Sequence, residues 1–204
     1  MRIEWTALSL ALLLLLPPLP LSASTKKFLK SRRNATTSIR SVLCVWQNWV
    51  DLIRVICGVY LLTEMAIRVI PEIKGAGTRV LLVEAAILGV VLLFQMVRIS
   101  QGVQFVAPVF YICGIVLVLA GFTIGGFAVF AGWLFVIGCG STVYQLPVMG
   151  LALVAAGVLL DLNLRMALAC GLVFLPLIMS FMFRQELAFV ALEPRVPTEG
   201  SPAD

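Results

Sequence analysis

Between Phe105 and Phe183 the chain runs 79 residues with only two charged side chains, Asp161 and Arg165. A transmembrane helix needs about 20 mostly apolar residues, so this stretch holds about four spans joined by very short loops. The rest of the chain agrees with that reading. It is 61% hydrophobic and 12% charged, with mean hydropathy +1.08, against about 25% charged residues in an ordinary globular domain. A water-exposed surface with that much apolar side chain would aggregate. Lipid favours it, provided each segment satisfies its own backbone groups, and helices do so. A membrane barrel needs apolar and polar residues alternating over segments of about 10 residues, whereas the apolar runs here are continuous. The fold class is therefore all-α: a polytopic transmembrane helical bundle of six or seven spans with no sizeable soluble domain, in a cell or inner membrane.

Residues 1–25 form a hydrophobic segment from about Trp5 to Ala23, and they read in two ways. Arg2, the Leu12–Leu16 centre, Pro17, Pro18, Pro20 and the small residues Ser22-Ala23-Ser24 resemble a signal peptide. Six cations directly after the segment instead favour an uncleaved anchor with its N-terminus outside, because positive charge beside a span stays in the cytoplasm. Those cations are Lys26, Lys27, Lys30, Arg32, Arg33 and Arg40, with no acid among them. Beside a span, the basic linker 26–40 reads as a cytoplasmic anchor on anionic lipid headgroups, not as a nucleic-acid site.

From Arg40 to Glu72 the pattern predicts a long helix stopped by Pro71, Gly75 and Gly77. Arg40, Gln47, Asp51, Arg54, Arg68 and Glu72 share one side, with Glu64 at its edge. Asp51/Arg54 and Glu64/Arg68 are spaced to pair along the helix. Only Val55–Thr63 separates the two pairs, about 13 Å of helix, so this element either lies in the interface or spans with its polar stripe turned inward. Further spans are expected at 80–97, 105–124, 126–143, 146–160 and 164–183, with Pro176 kinking the last and a polar tail at 184–204. With seven spans, ten Lys/Arg fall inside and five outside; with six, eleven and four. Both obey the positive-inside tendency, and they put the C-terminus on opposite sides.

The chemistry available is narrow. Histidine is absent, and with it the commonest metal ligand and general base. Cys44, Cys57, Cys113, Cys139 and Cys170 form no C-x-x-C pair, so no metal site, redox pair or disulfide framework is indicated. No catalytic residue and no cofactor motif emerges. An ionisable group inside a span costs about 2.5–3.5 kcal/mol, which makes each one a candidate site. Glu84 is the foremost, flanked by Val83, Ala85 and Ala86, with Arg54, Arg68 and Arg79 as possible partners; its plain alternative is an interhelical salt bridge. Glu64 and Asp51 have cations on their own helix, and Asp161 with Arg165 reads as a loop cap. Gly121-FTI-Gly125 and Gly132 supply small-residue spacing for close helix packing, within the chain or against a neighbour. Gly114-IVLVLA-Gly121 and Gly150-LALVAA-Gly157 also echo one another, as a duplicated hairpin would.

The leading functional reading is a non-catalytic subunit or scaffold of a larger membrane assembly, in contact with other membrane subunits or with itself. The alternative is a small transporter or channel built on Glu84. The transporter alternative also draws on the possible duplicated hairpin, and specificity is expected mainly in residues 26–98, with the later half a close-packed bundle.

Overall fold

The computed structural model describes residues 2–16, 46–68, 76–99, 103–139, 144–160, 163–183 and 188–189. The basic residues Lys26, Lys27, Lys30, Arg32, Arg33 and Arg40 lie outside these, as do Glu72, Asp161 and the side chain of Arg68. Among the described residues seven α-helices dominate: α1 (Trp5–Leu15), α2 (Trp46–Tyr60), α3 (Ala76–Met96), α4 (Val109–Leu119), α5 (Phe122–Cys139), α6 (Gln145–Leu160) and α7 (Leu164–Phe183). Three contain stretches long and apolar enough to cross a membrane: Gly77–Met96, Phe122–Cys139 and Leu164–Phe183. At 1.5 Å per residue these are about 27–30 Å long, the thickness of a bilayer core. α1 and α4, at 11 residues each, reach only about half that depth.

Five strand fragments of two to five residues were not anticipated. β1 (Arg2–Ile3) pairs antiparallel with β2 (Ile67–Arg68). β3 (Val97–Ile99), β4 (Val103–Ala107) and β5 (Ala188–Phe189) form a second small sheet. β1 and β4 precede helices, and β2 and β3 follow helical segments directly. These fragments shorten two expected segments. The span expected at 80–97 yields to strand at Val97, and the one expected at 105–124 begins as strand and is helical only from Val109.

That same segment also ends early. Ala120 N–H donates to Val116 O, and Gly121 follows with φ of 79°, a left-handed conformation that glycine adopts without strain. The chain turns there into α5, which runs back along α4. Gly125 makes this return possible: a Cβ at that position would lie 2.5 Å from Val116 O. Gly121 thus serves the turn, and Gly125 the close packing. Gly132 serves packing against α6, where a Cβ would meet Gln145 O at 3.2 Å. The suspected duplication is not kept, since Gly121 terminates α4 while the matching Gly157 lies inside α6.

The long helix expected from Arg40 to Glu72 is α2 followed by a π-helical segment, Leu61–Ala66, and then strand. Thr63 Oγ1 donates to Val59 O at 3.0 Å within this segment, a side-chain bond of the kind that disturbs the regular ladder. α7 continues through Pro176, which is buried.

The core centres on α4, whose residues Val109–Val116 and Leu119 are all buried. α2, α5 and α7 pack around it, α1 packs on α2 and its π-helical extension, and α3 packs on α7. α3, α5 and α7 turn large apolar side chains outward, including Leu82, Phe94, Phe122, Phe127, Phe130 and Phe181. A continuous apolar exterior over such helices suits lipid.

Contacts between helix ends define two poles. One gathers the start of α1, the end of the π-helical segment and the start of α7. The other gathers the end of α1, the end of α3 and the start of α4.

Candidate functional site

Glu84 occupies a core position on α3. Val80, Glu84, Leu88 and Leu92 follow one another at helical spacing of four, and all are buried. Every other member of the stripe is aliphatic. Glu84 is only 1% exposed, and neither of its carboxyl oxygens accepts a hydrogen bond. A buried charge without a partner is strongly unfavourable, so an ionised carboxyl here requires a proton, a cation or a rearranged neighbour.

The two charges that act on Glu84 come from other elements: Arg165 on α7 and Glu64 in the π-helical segment. Arg165 Nη1 donates to Glu64 Oε1 at 2.7 Å, and its Nη2 donates to Thr63 O at 3.3 Å. Both side chains are partly exposed, 39% for Arg165 and 45% for Glu64. A π-helical turn is uncommon and often marks functional positions. The position of Arg165 follows from the start of α7. Asn163 opens that helix, with its carbonyl accepting from Met166 and Ala167 N–H and its Oδ1 accepting from Arg165 N–H at 3.2 Å. Capping is therefore the work of Asn163, and the Arg165 side chain is released to cross to Glu64.

This changes three expectations. Glu64 pairs with Arg165 across the bundle, and the Arg68 side chain expected to pair with it lies outside the described residues. Among the described residues the cation acting on Glu84 is Arg165, not Arg54 or Arg79. The later half of the chain is not merely packing, because α7 delivers the cation of the cluster. Asp51/Arg54 pair as the spacing indicates, with Arg54 Nη2 2.7 Å from Asp51 Oδ1.

Arg54 belongs to a second polar cluster, at the opposite pole. α1 ends at Leu15, leaving carbonyls without helical partners. Arg54 Nη1 donates to Leu16 O. Tyr111 Oη and Gln95 Nε2 donate to Leu15 O at 3.3 Å and 3.4 Å. Three helices thus close the end of a fourth.

A third polar spot lies between α4 and α6. Gln145 is buried, its Nε2 is 4.0 Å from Cys113 Sγ, and its Oε1 has no hydrogen-bond partner. Sequence reading took Arg165 for a loop cap and missed Tyr111, Gln95 and Gln145 as structural participants. The available signal for these three was their rarity, since each is a polar side chain in or beside an apolar run. Among the described residues no three His, Cys, Asp or Glu side chains gather as a metal site, and the described cysteines are free. No protein-family model, curated protein or solved structure matches this chain.

Proposed function

We propose that this chain is a small multi-pass membrane transporter of the proton- or cation-coupled kind, with Glu84 as the coupling carboxyl. One observation carries the reading: a carboxyl in the apolar stripe of a membrane-length helix, with both oxygens unpartnered. An aliphatic side chain would fill that position at lower cost, so packing does not account for the acid. The Glu64–Arg165 pair, whose charges act on this carboxyl, is half open at one pole.

The described helices alternate in direction, from α1 running away from the β1–β2 pole to α7 doing the same. This favours seven passes over six, the first and last of them oriented alike. Residues 26–40 then lie with the C-terminus on the cytoplasmic side, against anionic headgroups. A reporter fused to the C-terminus should be active on the same face as one inserted in residues 26–40; signals on opposite faces would refute the seven-pass arrangement.

The subunit or scaffold reading ranks second. It drew on small-residue faces suited to a neighbour, and the close approaches at Gly125 and Gly132 are to this chain's own backbone. Co-purification of a stoichiometric partner in mild detergent would restore it to first place.

The deciding experiment reconstitutes the purified chain into vesicles carrying internal proton and sodium indicators. Wild type should dissipate an imposed proton or sodium gradient, and Glu84→Gln should not. Wild-type vesicles as tight as protein-free ones, or a fully active Glu84→Gln, would refute the transporter.

A further inference from the structure

We propose that Glu84 and Glu64 share Arg165 as the two ends of a proton exchange, so that the coupling ion is a proton and Arg165 is the moving charge. This rests on Glu84 being the coupling carboxyl and goes on to name the ion and the device. Glu64 and Glu84 carry two negative charges when ionised, and Arg165 supplies one positive charge. The cluster therefore has room for one further unit of positive charge, which excludes a divalent ion as the balanced occupant.

The surroundings choose between a proton and an alkali cation. A desolvated metal cation must replace its water shell with a ring of oxygens. Along α3 the neighbours of Glu84 are Val80, Val83, Ala85, Ala86 and Leu88, and no hydrogen-bond donor or acceptor meets its two oxygens. The nearby carbonyl of Thr63 already accepts from Arg165, and Thr63 Oγ1 is committed to Val59 O. A proton needs none of this coordination.

Among the described residues the charged groups acting on Glu84 from the elements around it are two. α7 brings Arg165 and the π-helical segment brings Glu64, while Arg79 on α3 itself is exposed one turn and more away. The state seen here has Arg165 on Glu64, leaving Glu84 to hold the proton. In the exchanged state Arg165 turns to Glu84, and Glu64 takes up the proton that Glu84 releases. The sum of charges over the three groups is zero in both states, so no net charge is buried or exposed in the exchange. Glu64 is the partly exposed member and passes the proton to or from the aqueous pole. The π-helical turn carries Glu64 and supplies the Thr63 carbonyl that anchors the guanidinium, so its irregular backbone defines one of the two resting places of Arg165.

Infrared spectroscopy of the full chain in lipid tests this without reference to transport. A protonated carboxylic acid gives a carbonyl band distinct from that of a carboxylate. Wild type should show this band at neutral pH, and Glu84→Gln should lack it. Glu64→Gln frees Arg165 to pair with Glu84, so the band should vanish at neutral pH. In Arg165→Gln, which removes the competing cation, the band should persist to higher pH than in wild type. A band absent from wild type, or indifferent to both Glu64→Gln and Arg165→Gln, would overturn the exchange. Radioactive sodium bound by wild type and lost in Glu84→Gln would also overturn it, in favour of a metal cation. Gradient dissipation abolished by Glu84→Gln alongside an indifferent band would leave the transporter standing and remove only the exchange. The expected band shifts in a protein that dissipates no gradient would do the reverse.

Discussion

The two poles of the bundle use the same kinds of side chain to opposite ends. Around the end of α1, Arg54, Gln95 and Tyr111 each donate to a carbonyl that the helix leaves open, and Arg54 has Asp51 beside it. Around the start of α7, Arg165 satisfies Glu64 and Thr63 but leaves Glu84 buried with neither oxygen paired. A polar group with its partners in place holds helices together. One kept out of water without a partner is costly and is kept only where chemistry needs it. The two poles should therefore separate when perturbed: one loses stability, the other activity.

The largest loss of stability is expected at the pole around the end of α1, where each side chain makes at least one hydrogen bond although Arg54 Nε and Nη2 make none. Arg54→Ala removes the donor to Leu16 O and the partner of Asp51, and should cost about 2 kcal/mol, part of the loss being recovered because Asp51 is partly exposed. Tyr111→Phe keeps the ring and removes one hydrogen bond, for about 1 kcal/mol. Gln95→Leu should cost about 0.5 kcal/mol, since its bond is long and Tyr111 still serves Leu15 O. All three are read from the thermal unfolding midpoint in mild detergent, and the order of the midpoints is the test. Glu84→Gln, at the other pole, should move the same midpoint by less than about 0.5 kcal/mol, because it exchanges one polar group for another of like size where no bond is made. Its effect should appear instead as loss of gradient dissipation. A Glu84→Gln variant that unfolds like Arg54→Ala would make Glu84 a structural residue and erase the distinction between the poles.

Charge spacing along the chain disclosed only half of this contrast. Asp51 and Arg54 are three residues apart on one helix, and they pair as such spacing allows. Glu64 and Arg68 have equally suitable spacing, yet Glu64 is taken by Arg165, 101 residues away. The helical rule assumes an unbroken helix, and the π-helical segment followed by strand at Ile67 removes that assumption. Glu84 stood out because a lone acid in an apolar run is conspicuous whatever the packing. Arg165 did not, because an acid four residues before it and an asparagine between offered a complete local explanation. Among the described residues Asn163 fills the capping role. Gly121 and Gly125 looked alike as a spaced pair of small residues and have different tasks, one in a turn with positive φ and one under a backbone carbonyl.

The sequence by itself determined the solvent and the class of structure. Continuous apolar runs with few charges require lipid, and lipid requires helices that satisfy their own backbone. It also determined that Glu84 would be out of place. The tertiary structure decided where the helices break, which carbonyls need donors, and which cation stands beside that carboxyl. Those outcomes depend on contacts between residues far apart in the chain, whose geometry exists only once α3, α7 and the end of α2 have packed together. Periodicity reports the environment of a residue along its own helix; the partner supplied by another helix is set by packing.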